Sequence, residues 1–200
     1  MTAEPRVRSL QATLDTPDVA DLTAELVASL GRDAVDGRLG SMRRALSTES
    51  GIYLERWTQP NNSWWIGLSH LMELFTGQMP ERIELTVEAR WVLETSLKIR
   101  LLRPMMTPEV WRQFVGRLVK ADNIAPALME LDMAAHFWQT GREIEWLVQA
   151  KGKTGRISEF VARGQGPDLE VECKSRSRDT GRQVIRPAFY RLAQEVHDQL

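Results

Sequence analysis

The sequence contains a single cysteine, Cys173, among 200 residues, so a disulfide within the chain is excluded. This usage is typical of the reducing cytoplasm, where we expect the protein to reside. Long apolar runs are missing too, because charges interrupt every hydrophobic stretch well before the roughly 20 residues that a membrane helix needs. The start, MTAEPRVRSL, has no apolar stretch typical of a signal peptide, and we expect no membrane partner.

Motifs for nucleotide and zinc binding are also missing. No glycine-rich phosphate loop of the Walker or Rossmann type occurs in the chain. The histidines His70, His136 and His197 are far apart, and one cysteine cannot complete a usual zinc site. What remains is the composition of a globular protein, with 42% hydrophobic and 26% charged residues, which can build a sizeable core.

Charge is almost balanced over the whole chain but not along it. The net charge of −1 argues against a generally basic nucleic-acid-binding protein. Residues 151–191 nevertheless hold ten Lys and Arg against five Asp and Glu, whereas residues 1–140 hold fifteen against eighteen. Such a basic segment is typical of a local phosphate-facing surface, and a solvated charged face is the alternative.

Apolar residues recur at helical spacing through residues 1–120, which we interpret as a helical region. Thr16-Pro17 is a typical helix start, and Gly31 a typical end. Thr107-Pro108 marks a second start. Residues 81–103 are predicted as one long helix, although their first residues alternate as in a strand. The helix predictions cover residues 17–30, 35–46, 64–75, 81–103 and 108–118.

The pattern changes after residue 123. Residues 124–140 read as a helix that ends at Gly141, and three short alternating segments then predict strands over 144–148, 157–162 and 168–174. A final stripe of apolar residues predicts a helix over 185–200. Residues 121–200 are therefore expected to form an α+β or α/β module of helix, three strands and helix, following the helical region.

The third predicted strand places a carboxylate beside an ammonium group. Side chains two residues apart share a face, so Glu172 and Lys174 lie about 7 Å apart along one face while Cys173 points to the core. Glu172 and the backbone carbonyl of Cys173 offer the oxygen ligands that Mg²⁺ or Mn²⁺ prefers. Lys174 can polarise an attacking water and offset transition-state charge.

A second carboxylate must come from a neighbouring strand or turn, and two residues compete for this role. Glu159 lies thirteen residues before Glu172, and a hairpin would bring it alongside. Asp168 lies in Gly-Pro-Asp at the beginning of the third strand, roughly 13 Å from Glu172 at strand rise. The residues alone leave both open.

This order of helix, glycine, strand, acidic hairpin and Glu172-Cys173-Lys174 resembles the PD-(D/E)XK, or restriction-endonuclease-like, nuclease superfamily over residues 124–200. The resemblance implies a mixed sheet and Mg²⁺-dependent hydrolysis of phosphodiester bonds, in DNA rather than RNA. It implies that Glu172, Lys174 and Glu159 are catalytic, where strand register favours Glu159 and Asp168 is the alternative. It also implies that Glu159, Glu172 and the Cys173 carbonyl hold metal, together with Glu130 as the helix carboxylate; Asp132 is the less favoured choice for that role.

Two departures from the superfamily pattern keep a second interpretation open. No fourth strand follows the predicted last helix, and the Gln-x-x-x-Tyr signature of some members is missing. The chain would then be an inactive nuclease-like fold that binds nucleic acid or a protein. A homodimer that completes the sheet, or a partner protein held by the helical region, fits this interpretation. A third interpretation is a helical interaction module in which Glu-Cys-Lys is chance.

Basic and aromatic residues supply candidate nucleic-acid contacts. Phosphate contact is the functional interpretation of the basic residues after the predicted site, and a solvated loop is the alternative. These residues are Lys174, Arg176, Arg178, Arg182 and Arg186. Trp64 and Trp65 could stack on bases, but tryptophans at helical spacing more often belong to the core.

Overall fold

A computed structural model describes residues 14–47, 60–76, 80–120, 124–148, 158–164 and 166–173. Within these ranges the chain combines helices with one small sheet, as expected for an α+β protein. The helices are α1 (Thr16–Leu30), α2 (Arg32–Leu46), α3 (Pro60–Leu74), α4 (Val87–Leu102), α5 (Pro108–Lys120) and α6 (Ala125–Gln139), with a 3₁₀ turn at Arg103–Met105. The strands are β1 (Glu143–Trp146), β2 (Phe160–Arg163) and β3 (Leu169–Val171).

Side-chain caps set where two of the helices begin. Asp15, not Thr16, caps α1: its side chain accepts from the backbone of Asp18, whose carboxylate bonds back to Asp15 N. In α4, the Thr86 hydroxyl accepts from Ala89 N at 3.1 Å. The predicted helix over 81–103 therefore begins too early, because Thr86 fixes the first turn six residues after Pro80.

Helix α4 lies at the centre of the helical region and packs against α1, α3 and α6. Its contact with α3 is close at Gly67, where an added Cβ would lie 2.9 Å from the backbone nitrogen of Ala89. Trp64 and Trp65 are 0% and 1% exposed, so both belong to the core and cannot stack on bases. The indole of Trp64 donates to the Thr95 hydroxyl at 3.2 Å.

The sheet has the order β1-β2-β3 with both neighbouring pairs antiparallel. We expected a mixed sheet, whereas the strands in the described ranges form an antiparallel meander. The β2–β3 link, residues 164–168, is too short for the crossover of about a dozen residues that a parallel pair needs. Ile144 pairs with Ala162, and Phe160 pairs with Val171. Helix α6 covers the face that carries the buried residues of β1 and β2. The expected inward side of β3 is only partly covered, since Leu169 is 36% exposed.

One hydrophobic cluster extends from Val19 in α1 to Ala162 in β2. The predicted helical region, 1–120, and the predicted module, 121–200, thus share a core, with α4 against α6 as a main contact. None of the helices in the described ranges is both long and apolar enough to cross a membrane. The predicted final helix, 185–200, lies outside these ranges.

Candidate functional site

Glu130 is a carboxylate on the buried face of α6. It falls in the helical stripe with Ala127, Leu131 and Ala134, and only 2% of the residue is exposed. The guanidinium of Arg117, on α5, donates to both of its oxygens at 2.7 and 2.6 Å. This two-pronged pairing compensates a charge that burial alone would make very costly.

The charge state of Glu130 depends on competing influences. Their net effect raises the pKa of Glu130 to about 7, with burial as the largest cause and the negative charge of Glu159 as a smaller one in the same direction. Arg117 opposes this rise through its charge and its hydrogen bonds. Glu130 and Glu159 therefore lie close enough to repel each other, and Arg117 only partly offsets that repulsion.

Glu159 lies immediately before β2 and is 9% exposed. Its backbone is held on both sides: its N–H donates to Val171 O at 2.8 Å, and its carbonyl accepts from Leu147 N at 2.9 Å. Its side-chain Oε2 accepts from the backbone N–H of Cys173 at 2.8 Å. The ends of β1, β2 and β3 thus fix this carboxylate, and no described residue donates to its other oxygen, Oε1.

The thiol of Cys173 belongs to the same cluster. The pKa of this half-buried thiol is raised to about 11, mainly by burial and also by the charges of Glu159 and Glu130, which outweigh the opposing charge of Arg117. A thiol so disfavoured as a thiolate is a poor nucleophile. We define the acidic cluster as Arg117, Glu130, Glu159 and Cys173, which come from α5, α6, the start of β2 and the residues after β3.

The other carboxylates considered from sequence are exposed. Asp168 pairs with Arg163, which also binds Glu145 at 2.5 Å. Asp132 pairs with Lys98 at 2.7 Å on the protein surface. Glu172 is exposed as well. The structure therefore brings Glu130 and Glu159 together and gives Asp168 and Asp132 other partners.

Several predicted site residues lie outside the described ranges. These are Lys174, the expected catalytic lysine, and the expected phosphate-contacting residues Arg176, Arg178, Arg182 and Arg186. The Glu-Cys-Lys motif is described only as far as Cys173.

The chemistry of the donors fits a hard divalent cation. Two carboxylates and the backbone carbonyl of Cys173 are oxygen donors of the kind that Mg²⁺ and Mn²⁺ prefer. When Glu130 and Glu159 are both ionised, the single guanidinium of Arg117 leaves part of their negative charge uncompensated. In residues 14–173, as far as they are described, no group of three His, Cys, Asp or Glu side chains is arranged to hold a metal. A cation here would need the backbone carbonyl, Glu172 or a substrate oxygen to complete its ligands.

Arg117 is the member of the cluster that sequence reasoning missed. The buried positions Val110, Phe114 and Leu118 define the inner face of α5, and Arg117 falls beside this stripe, seven residues after Val110. A charge on the apolar face of an amphipathic helix needs a buried partner. The same reasoning applies to Glu130 in α6. Periodicity could therefore have indicated that both residues need buried partners, but not that they are partners of each other.

Comparisons of the chain with protein-family models, with curated proteins and with solved structures gave no significant match.

Proposed function

We propose that this chain is a Mg²⁺-dependent nuclease that hydrolyses phosphodiester bonds in DNA, with a PD-(D/E)XK-like arrangement of residues. One observation carries the proposal: a helix carboxylate, Glu130, and a hairpin carboxylate, Glu159, converge beside the backbone of Cys173. Burial of two carboxylates at one place is costly, and such clusters occur mainly where function requires them. The acidic cluster supplies the oxygen donors that metal-dependent hydrolysis needs.

Each residue has a distinct part in this proposal. Glu159, Glu130 and the carbonyl of Cys173 hold the cation, together with Glu172. Bound Mg²⁺ would supply Lewis-acid polarisation of the phosphate and a more acidic water. Hydrolysis joins the water oxygen to phosphorus and breaks the bond to the leaving oxygen. The attacking water gives its proton to solvent and the leaving oxygen takes one from solvent, while negative charge grows on the phosphate in the transition state. Lys174 offsets this charge.

DNA as substrate is supported by charge and not by a described contact. Basic residues follow Glu172 directly in the sequence, in a segment of ten Lys and Arg against five Asp and Glu. Phosphate contacts by such residues give binding that weakens steeply as salt rises. RNA is the natural comparison substrate, since a backbone-reading basic surface does not by itself distinguish the two.

The proposal is tested by incubating supercoiled plasmid, linear DNA and RNA with the purified protein and Mg²⁺, Mn²⁺ or EDTA. We expect cleavage that needs metal and that Glu159→Gln and Lys174→Ala each reduce by at least about 100-fold. Glu143→Gln removes an exposed carboxylate from β1 and serves as the matched control, with activity within about twofold of the wild type. Cleavage that survives in both site variants would place the chemistry elsewhere.

One observation favours a second function, an inactive nuclease-like fold that binds nucleic acid. Arg117 already occupies both oxygens of Glu130, as expected for an ion pair that replaces a metal. This alternative predicts folded protein without cleavage, and salt-sensitive DNA binding that EDTA leaves unchanged. Retained binding to a protein, without DNA binding, would instead support an interaction module.

A further inference from the structure

Arg117 brings a charged group from the helical region into the acidic cluster. It lies on α5, thirteen residues before Glu130, and its side chain is 33% exposed whereas that of Glu130 is 3% exposed. Its two terminal nitrogens bind one oxygen each, so the plane of the guanidinium sets the plane of the carboxylate. Its Nε is buried without a hydrogen-bond partner among the described residues. The guanidinium therefore binds Glu130 through both terminal nitrogens, although this leaves its Nε without a hydrogen bond among the described residues.

Stability alone is a weak reason for such a pair. A buried ion pair is often no more stable than well-packed apolar side chains of the same volume, because both charges must be desolvated. Here the cost is higher, since Glu159 adds a second negative charge to the same cluster. If position 130 served only packing, a leucine would fill it more simply, as Leu131 does at the neighbouring buried position.

The pairing also leaves Glu130 able to bind a second cation. A carboxylate has about four acceptor positions, two on each oxygen, and the fork of Arg117 uses one on each. The remaining positions have a fixed direction because the carboxylate cannot rotate without breaking two hydrogen bonds. Partners of this kind around a metal site typically change metal affinity by about 10- to 100-fold when they are replaced.

We propose that Arg117 is a positioning residue that orients Glu130 toward the cation, so that the metal site is completed by the helical region. The inference rests on the proposed function and extends it to a residue outside the expected module, 121–200. Arg117 acts through Glu130 and does not itself touch the cation or the phosphate. The helical region is then a structural part of the site as well as a candidate substrate- or partner-binding surface.

The test is Mn²⁺ binding to the full chain, followed by electron paramagnetic resonance, which does not depend on cleavage. Arg117→Met removes the charge and the fork, while Arg117→Lys keeps the charge but cannot form the fork. Arg112→Met removes an exposed arginine from the same helix and is the matched control. We expect Arg117→Met to weaken Mn²⁺ binding at least about 10-fold, Arg117→Lys to lie between, and Arg112→Met to stay within about twofold.

A second readout separates positioning from folding. In the Glu130→Gln background the ligand is already lost, so Arg117→Met should cause no further loss of Mn²⁺ affinity. This double variant also removes both partners of the ion pair, which keeps the test usable if Arg117→Met alone does not fold. Equal losses in the two backgrounds would overturn the inference, because Arg117 would then act independently of Glu130.

The outcomes for the inference and for the proposed function are distinguishable. If the wild type binds Mn²⁺ and Glu159→Gln abolishes binding while both Arg117 variants bind normally, Arg117 has no positioning part and only this inference fails. If the folded wild type binds no Mn²⁺ at millimolar concentration, the metal site itself is wrong and the inference falls with it. Intermediate binding by Arg117→Lys is the result that a merely structural arginine does not predict.

Discussion

The helical region and the sheet end of this protein bury polar groups in different ways. In the helices the buried hydroxyl of Thr23 donates to Val19 O at 2.7 Å, four residues earlier in the same helix. Ser96 likewise donates to a carbonyl four residues back, at 2.9 Å. At the sheet end two of the buried groups are carboxylates, and their partners are distant in sequence: Arg117 for Glu130, and the backbone of Cys173 for Glu159.

This difference shows that the sheet end buries charged groups at a cost in folding free energy that apolar packing does not explain. A hydroxyl that bonds to its own helix satisfies itself with little rearrangement and little effect on neighbouring elements. A buried carboxylate needs a charged or N–H partner held by another element, and its burial lowers stability unless the match is good. The acidic cluster is therefore the part of the described chain whose burial stability alone explains least, and the proposed function rests on it.

The largest expected effect comes from removing one partner of the charged pair. Arg117→Met leaves Glu130 buried and unpaired at about pH 8, so we expect a loss of about 3–5 kcal/mol in the free energy of unfolding. Thr23→Val replaces a buried hydroxyl by a methyl group of similar shape and should lower the free energy of unfolding by no more than about 1 kcal/mol. Urea denaturation of both variants measures the contrast, and equal losses would remove the distinction between the two regions.

The next largest effect is a pH dependence of the free energy of unfolding that arises from Glu130. Its pKa is about 7 in the folded protein, above the ordinary value of 4.5, so the folded state holds this proton after the unfolded state has lost it. The contribution to stability is thus present below about pH 4.5 and is lost as the pH rises through about 7.

The size of this loss is on the order of 2–3 kcal/mol. It is measured as the difference in unfolding free energy between about pH 5 and about pH 8, for the wild type and for Glu130→Gln. The glutamine variant cannot titrate and should lack this part of the slope. An unchanged slope in Glu130→Gln would show that other groups carry the pH dependence.

The smallest effects concern packing within the helical region. Gly67→Ala places a Cβ against the backbone at Glu88 and Ala89, so we expect a loss of about 1–3 kcal/mol. Gly116→Ala in α5 meets nothing within 4 Å and should stabilise the protein by about 0.5–1 kcal/mol. Thermal unfolding of the two variants distinguishes the close helix contact at Gly67 from the effect of helix propensity at Gly116. A change in stability of the same sign for both variants would contradict the packing described.

Periodicity predicted the helices well and their ends less well. The stripe of α1 and the start at Thr107-Pro108 are confirmed, because burial of one face dictates the spacing of apolar residues. The first turn of α4 was misplaced because Ile83 and Leu85 also suit a helix by composition, and the cap at Thr86 decides the matter locally. The predicted hairpin agrees with the antiparallel pairing of β2 and β3. The direction of β1 was beyond the sequence pattern, since alternation does not specify the direction of a neighbouring strand.

The candidate site was predictable only in part. Glu159 was named from the expected hairpin and Glu130 from a resemblance, and the structure brings these two carboxylates together. Alternation in the strands could not reveal that Glu159 bonds to the backbone of Cys173, because that contact depends on where β2 and β3 stop pairing. The pairing of Arg117 with Glu130 was missed because partners on separate helices leave no mark in local spacing, although periodicity could have indicated each residue as a charge on a buried face.

The strands of this sheet contain four, four and three residues. A meander this short is not stable by itself in water, and its apolar face gains most of its burial from α6. The sheet is therefore expected to depend on α6, since detaching this helix would expose the apolar face of the strands to water. The acidic cluster, which draws on α6 and on the ends of the strands, would be lost with it.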